Sequence, residues 1–324
     1  MLKAVITGVA GQDGSYLAEL LLDKGYQVYG VTRRKSVNAG EENLHVVLHR
    51  DGFHAIYGDI TDGTFITRLL HDIKPHEYYN LAALSHVGQS FKEPIATFTT
   101  NATAVILQLE AIRTFSPATR FYQASTSELF GLTPCPKTGF TEEDAFHPRS
   151  PYGVAKLAAY WAAVNAREAW GLHASNGILF NHSSPRRGLD FATRKITRGI
   201  AAIKLGHART LKMGDLSSYR DEGLSGDYME AAWRMLQQAD PGDYVVGTGD
   251  GATIEQMFRH VCDLAGLKFS DVYELDERFL RPSEVPYLVA NPTKASDVLG
   301  WRATHSWRDV LRSMYESDLS ELSA

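Results

Sequence analysis

The sequence predicts an α/β fold, a doubly wound parallel sheet joined to a smaller C-terminal α/β lobe. Short apolar runs alternate with helix-period segments through the first half of the chain. A glycine-rich turn follows the first run, and the texture changes after about residue 182. Repeated alternation of this kind favours parallel strands, because each parallel pair needs a long crossover connection.

Residues 3–7 form an apolar run that stops at Gly8 and read as the first strand. Leu17, Leu20 and Leu21 recur at helical spacing, and Lys24-Gly25 ends that helix. Residues 27–32, 54–57, 77–81, 120–124 and 174–179 continue the strands, with helical stretches around 63–73, 95–115 and 152–170. Residues 183–188 (SSPRRG) read as a loop and 191–206 as a helix, followed by mixed short elements. The division expected is 1–182 and 183–324, and within about 240–260 the segment 243–247 could return a strand to the first domain.

A length of 324 residues suits about two domains, and 44% hydrophobic with 22% charged residues is ordinary for a globular chain. The balance of 33 basic against 38 acidic residues gives −5, so no nucleic-acid partner is expected. No uninterrupted apolar stretch approaches ~20 residues, so no membrane span is expected. Glycine interrupts the N-terminal run before a secretory segment develops, which makes a cytoplasmic location the expectation. Cys135 and Cys262 form no CxxC pair, and the 12 His residues do not cluster with acids at ligand spacing. Neither a disulfide framework nor a metal site is expected.

Gly8, Gly11 and Gly14, with Gln12 and Asp13 between the last two, lie between the first strand and the first helix. Glycines there allow a tight turn, close approach of backbone N–H groups to a pyrophosphate, and packing of helix on sheet. The first domain therefore reads as a dinucleotide-binding, Rossmann-type unit. At the end of the second strand an NAD site usually places an acid for the ribose 2′-hydroxyl. This chain has Thr32-Arg33-Arg34-Lys35-Ser36 instead. Guanidinium forks suit a 2′-phosphate, so Arg33, Arg34 and Ser36 point to NADP, with a solvated basic turn as the alternative. Asp59 and Ile60, after the third strand, are placed to meet the adenine. Leu81, Ala83 and Ser85, after the fourth, would run beneath the dinucleotide.

Tyr152 and Lys156 stand four apart, on one face of a helix, where an ammonium can lower a phenol's pKa and grip the nicotinamide ribose. With 15 Tyr and 33 Lys+Arg, about one or two such pairs arise by chance, so context decides. The pair follows a strand ending in Ser125-Thr126-Ser127-Glu128, and a hydroxyl at that strand end completes the set. Glu128 adds a carboxylate that a plain oxidoreductase does not need. It could remove a carbon-bound proton made acidic by a neighbouring ketone, which would turn transient oxidation into elimination. The alternative is a helix-capping or surface carboxylate.

The runs 8–17 (GVAGQDGSYL), 32–34 (TRR), 123–131 (QASTSELFG), 148–157 (PRSPYGVAKL) and 177–188 (GILFNHSSPRRG) resemble the GDP-mannose 4,6-dehydratases. These belong to the extended short-chain dehydrogenase/reductase superfamily. The resemblance continues through 193–196, 220–221, 226–228 and 281–285 and ends at 299–301, covering nearly the whole chain. It implies an internal redox cycle on tightly held NADP. Tyr152, with Lys156 and Thr126, would take the O4 proton as hydride leaves C4, Glu128 would take the C5 proton as water leaves C6, and hydride would return to C6. It also implies that His182 and Arg187 contact the cofactor. Ser85, Glu128, Asn181, Lys195, Arg220, Arg281 and Glu284 would hold GDP-mannose, in a homodimer or homotetramer.

Ser183, Glu222, Leu224 and Pro286 depart from the family's usual Glu, Trp, aromatic or His, and Asp. They touch the identity of the sugar nucleotide rather than the reaction. The loop between Thr126 and Tyr152 is slightly long for the family and could reshape the mouth of the site. The rival readings are an epimerase, a reductase or a dehydratase for another GDP-hexose, and, more distantly, an idle NADP-binding scaffold.

Overall fold

Ala4, Val5 and Ile6 are fully buried, as a strand covered by helices on both faces requires. The computed structural model describes residues 1–33, 42–280 and 283–324. In it the chain alternates β1 (Lys3–Thr7), α1 (Gln12–Asp23), β2 (Gln27–Thr32), β3 (Phe53–Tyr57), α2 (Gly63–Ile73) and β4 (Glu77–Asn80). Short α3 (Val87–Ser90) and α4 (Pro94–Phe98) lead through a wide turn to α5 (Ala104–Phe115), then β5 (Arg120–Thr126), α6 (Pro151–Trp170) and β6 (Ala174–Leu179). The second half adds β7 (Asn181–Ser183), α7 (Ala192–Lys204), β8 (Leu211–Met213), β9 (Tyr219–Leu224), α8 (Ser225–Gln237) and β10 (Asp243–Val246). It closes with β11 (Gly251–Thr253), α9 (Ile254–Ala265), α10 (Phe269–Val272), β12 (Tyr273–Leu275), β13 (Tyr287–Leu288), α11 (Thr293–Leu299) and α12 (Trp307–Ser323).

The main sheet runs β10-β6-β5-β4-β1-β2-β3, and every neighbouring pair is parallel. The segment expected to rejoin the first domain is β10, which pairs with β6 from Asp243 opposite Asn176 to Val246 opposite Leu179. One face is covered by α1 and α8, with Leu17, Leu21, Met229 and Met235 in its core. The other carries α2, α5 and α6, with Ile66, Leu70, Ile112 and Ala163. The strand order reverses between β1 and β4, and a crevice outside the carboxyl ends of the strands follows from that topology. A separate core of Ile196, Ile200, Met257, Phe258, Leu311 and Met314 holds α7, α9 and α12 together. Beside it β9 lies between β11 and β13 and also pairs with β7, while β12 pairs with β8.

Two expectations need correction. Residues 95–115 are not one regular helix: Thr99–Thr103 widens into a π turn between α4 and α5. The whole stretch Pro94–Phe115 spans 22 residues with a hydropathy of 1.2, long and apolar enough on those grounds to cross a bilayer. Half of it is buried within the protein, and its Val105, Leu109 and Ile112 pack into the sheet's core, which accounts for the apolar composition. Ser183, expected in a loop, ends β7 instead. The long loop between Thr126 and Tyr152 is pinned: the Phe140 N–H donates to Val289 O (2.8 Å), and Phe140 stacks on Phe130 at 4.2 Å.

Candidate active site

Gly8 holds φ at +71°, and a Cβ there would meet the Ala82 backbone at 2.8 Å. At Gly14 it would overlap Gly8 O and stand 2.6 Å from the Val9 Cα. Both positions therefore require glycine, as read from the sequence. Gly11 caps α1, so the first N–H groups of a 12-residue helix open into the crevice at its positive end.

The side chains of Gln12 and Asp13 do something sequence reasoning missed. The Gln12 Nε2 donates to His182 O (3.2 Å) and its Oε1 accepts from Ser184 Oγ (2.9 Å). Asp13 accepts from Ser225 Oγ (2.8 Å) and lies 2.9 Å from His182 Nε2. These bonds clamp the glycine loop to β7 and to the start of α8. The other ring nitrogen of His182 lies 2.7 Å from Phe180 O, so acceptors face both nitrogens. A neutral imidazole donates only once, so this pair of acceptors favours the imidazolium form of His182. Burial works against that charge, but the Asp13 carboxylate outweighs it and raises the His182 pKa. Burial likewise opposes the Asp13 charge, yet His182 and its hydrogen bonds hold that carboxyl well below the usual range. Arg187 donates to His182 O and lies over the Phe191 ring at 4.4 Å.

Along the nucleotide edge, Arg33 is exposed beside Asp59. Burial opposes the Asp59 charge, but bonds from the Thr61 N–H and hydroxyl and the nearby Arg33 lower its pKa. Ile60 is buried. Arg34 and Ser36 lie outside the described residues, as does Arg281. Leu81 and Ala83 line the segment after β4, and Ser85 stands exposed beyond them. That segment is fixed by Asn101 in the π turn, which accepts from Leu84 N (2.8 Å) and donates to Leu84 O (3.0 Å). No sequence signal marks Asn101, because a wide turn inside a helical pattern has no fixed composition.

The catalytic candidates converge from two elements. Thr126 ends β5, and its hydroxyl accepts from Glu128 N (3.3 Å), capping a single helical turn that carries Glu128. Ser150 caps α6 by accepting from Gly153 N (3.0 Å), with Pro151 at the first helical position, so Tyr152 and Lys156 fall in the first turns. Thr126, Tyr152 and Lys156 are buried, and the Thr126 hydroxyl meets the Tyr152 phenol. The expected lowering of the Tyr152 pKa by Lys156 is not found. Lys156 Nζ donates to Ala124 O at 2.8 Å. Burial raises the phenol well above its ordinary value, the charges of Glu128 and Asp13 add to this, and Thr126 and Arg187 oppose it. Burial also pulls Lys156 down to about 8, against Asp13.

On the substrate side, Asn181 opens β7. Lys195 lies 3.4 Å over the Phe279 ring, its pKa lowered by burial against Asp276 and Asp190. Arg220 pairs with Glu284 at 3.0 Å, which brings those two predicted ligands together. Next to Arg220, Asp221 accepts from Thr248 N (2.9 Å), Thr248 Oγ1 (2.7 Å), Gly249 N (2.9 Å) and Ala290 N (3.1 Å). It ties β9 to two loops. Among the described residues no group of three His, Cys, Asp or Glu side chains could hold a metal ion.

Known proteins resemble the chain in sequence and in fold. A family model described as GDP-mannose 4,6 dehydratase matches residues 5–314. The GDP-mannose 4,6-dehydratase of Sinorhizobium fredii is 46% identical over 342 residues, covering 98% of this chain and 97% of its own. GDP-mannose 4,6 dehydratase 2 of Arabidopsis thaliana is 45% identical over 325 residues, covering 98% and 86%. Among solved structures, Pal from Bacillus thuringiensis superposes with a TM-score of 0.88 over 100% of both chains at 22% identity. dTDP-glucose 4,6-dehydratase from Bacillus anthracis, in complex with NAD, gives 0.86 at 20% identity over 100% of this chain and 98% of its own. These two show the fold. The family match runs from β1 into α12, and relatives near half-identical span almost the whole chain, so the chain belongs to the GDP-mannose 4,6-dehydratase family.

Proposed function

We propose that the chain is an NADP-dependent GDP-mannose 4,6-dehydratase, forming GDP-4-keto-6-deoxymannose. The observation that carries this reading is Glu128, a carboxylate one short turn from the Thr126 and Tyr152 hydroxyls, on a family background of dehydratases. A 4-epimerase or a 4-keto reductase has no use for a base at C5.

The glycine loop fits a dinucleotide, since Gly8 and Gly14 let it pack backbone to backbone against Ala82 and Val9, and the first N–H groups of α1 suit a pyrophosphate. Gly8, Gly11 and Gly14 would take the pyrophosphate on the backbone. Arg33 and Arg34 would take the 2′-phosphate, Asp59 and Ile60 the adenine, and Arg187 the crevice side. When bound, NADP supplies a hydride acceptor at C4 of the sugar and then a hydride donor at C6. Tyr152 takes the proton of the C4 hydroxyl, and Thr126 stabilises the phenolate by hydrogen bonding. Lys156 lies one helical turn beyond Tyr152, where its charge can help lower a barrier that burial alone would raise. Once C4 is a ketone, C5–H is acidic. Glu128 removes that proton as the C6–O bond breaks, the departing hydroxyl takes a proton to leave as water, and a proton returns to C5 at the end. Arg220, Lys195 and Arg281 bring positive charge for the diphosphate.

Deuterium placed at C4 of GDP-mannose should appear on the C6 methyl of the same product molecule, with loss of water and no net cofactor reduction. Mass spectrometry reads this directly, and label lost to solvent or retained at C4 would reject the reading. For the cofactor, Arg33→Ala combined with Arg34→Ala should weaken NADPH binding about 10–100-fold, the worth of charge-assisted bonds, and NADH binding far less. Equal losses in fluorescence titrations would remove the 2′-phosphate assignment.

A further inference from the structure

A row of buried polar side chains crosses the main sheet. Thr7, Asn80 and Gln123 stand side by side in register on β1, β4 and β5, and all three are buried. The Thr7 hydroxyl donates to Asn80 Oδ1 (2.8 Å), and Asn80 Nδ2 donates to Gln123 Oε1 (2.9 Å). Gln123 Nε2 donates in turn to Ala124 O (3.0 Å), the same carbonyl that accepts from Lys156 Nζ (2.8 Å). The row therefore ends on the acceptor of the catalytic lysine.

Side chains can reach that carbonyl because a strand stops short of it. Arg120 N donates to His76 O and Phe121 N to His173 O, so alternate residues of β5 face β4 and β6, and Ala124 faces β4. β4 ends at Asn80, opposite Gln123. Two residues beyond Asn80, Ala82 N donates to the Thr7 hydroxyl (3.2 Å). Ala124 O thus lies past the last paired residue of β4, and side-chain donors take the place of a strand N–H. A carbonyl only accepts, and this fixes the sense of every bond in the row. Gln123 must present its NH₂ to Ala124 O, so its oxygen faces Asn80. Asn80 must then present its own NH₂, which leaves its oxygen for the Thr7 hydroxyl. Turning either amide over would set donor against donor in a buried place, so the row holds one arrangement.

We propose that Gln123 is a positioning residue. It takes one of the two acceptor sites of the Ala124 carbonyl and so leaves Lys156 a single directed acceptor, which confines the ammonium to one place beside the turn that carries Tyr152. The inference rests on the reading of Lys156 as a member of the catalytic set. Turnover of GDP-mannose by the holoenzyme, followed by mass spectrometry in Gln123→Met, Lys156→Met and the double variant, tests it as a cycle. Gln123→Met keeps the side chain's length and should lower kcat about 5–30-fold, with KM for GDP-mannose held within a few-fold. Lys156→Met should lower kcat about 10²-fold or more, and the double variant should be no slower than Lys156→Met alone. Gln123→Glu still accepts from Asn80 but, when ionised, offers Ala124 O no donor. It should lower kcat in the same direction and serves if Gln123→Met folds poorly. Losses that multiply in the double variant overturn the role of Gln123. So does an unchanged kcat in the folded Gln123 variants, the result expected of a row that only steadies the sheet. Near-normal turnover by Lys156→Met overturns the reading of Lys156 and the proposal with it.

Discussion

Glutamine at position 128 is expected to slow GDP-mannose turnover by about 10²–10⁴-fold, the range a positioned general acid–base group supplies. The substitution keeps the side chain's size and cannot disturb the bond between the Glu128 backbone N–H and the Thr126 hydroxyl, so the turn that carries it stays formed. Affinity for GDP-mannose should therefore hold within a few-fold while kcat collapses, a split that steady-state kinetics and equilibrium binding separate. Tyr152 would still be able to take the O4 proton, so transient oxidation at C4 survives while elimination stalls. Near-normal turnover would show that another group removes the C5 proton.

Replacing Asp221 by Ala should cost about 2–4 kcal/mol of stability, because the buried Ala290 N–H and the part-buried N–H groups of Thr248 and Gly249 lose their acceptor at once, each worth roughly 1–3 kcal/mol where water cannot reach it. Asn is not a gentle substitute. One carboxylate oxygen takes Thr248 N and Oγ1 and the other takes Gly249 N and Ala290 N, so an amide NH₂ must face at least one backbone N–H, which cannot accept, whichever way it turns. Urea unfolding measures both variants, and an Asn variant as stable as wild type would refute the argument. Burial raises the Asp221 pKa from 3.8 to about 6. A raised folded-state pKa contributes stability that is complete below the unfolded value and lost as pH rises through the folded one. The margin of wild type over the Asn variant should thus shrink between about pH 4 and 6 and then level off.

Much of this was legible in the sequence because it is local. The apolar runs at β1, β2 and β6 and the leucines of α1 carry the period of their own element, and the glycines of the first turn declare a backbone that only they permit. Tyr152, Lys156 and Thr126 are legible for the same reason: a strand end, a cap and a helical turn fix them. What sequence reasoning missed are contacts between residues far apart along the chain. Asp13 and His182 stand 169 positions apart, and nothing near either announces the pair. Glu222 reads as an odd charge beside a predicted ligand until the pairing of β7 with β9 sets it against Asn181. The direction of the Tyr152 shift went the same way, since spacing shows which charges are close and says nothing of how dry their surroundings are.

The clamp at Gln12 and Asp13 has a bearing on the life of the enzyme between turnovers. A dinucleotide that gives back its hydride in every cycle needs no exit, and here the loop that would grip its phosphates is stitched to the opposite wall by a partly buried ion pair and three hydrogen bonds. On the proposed function, release of the coenzyme would have to open those stitches, whereas a sugar nucleotide held at Arg220 and Glu284 would exchange with the seam closed. The coenzyme would then be a resident part and only the sugar nucleotide traffic.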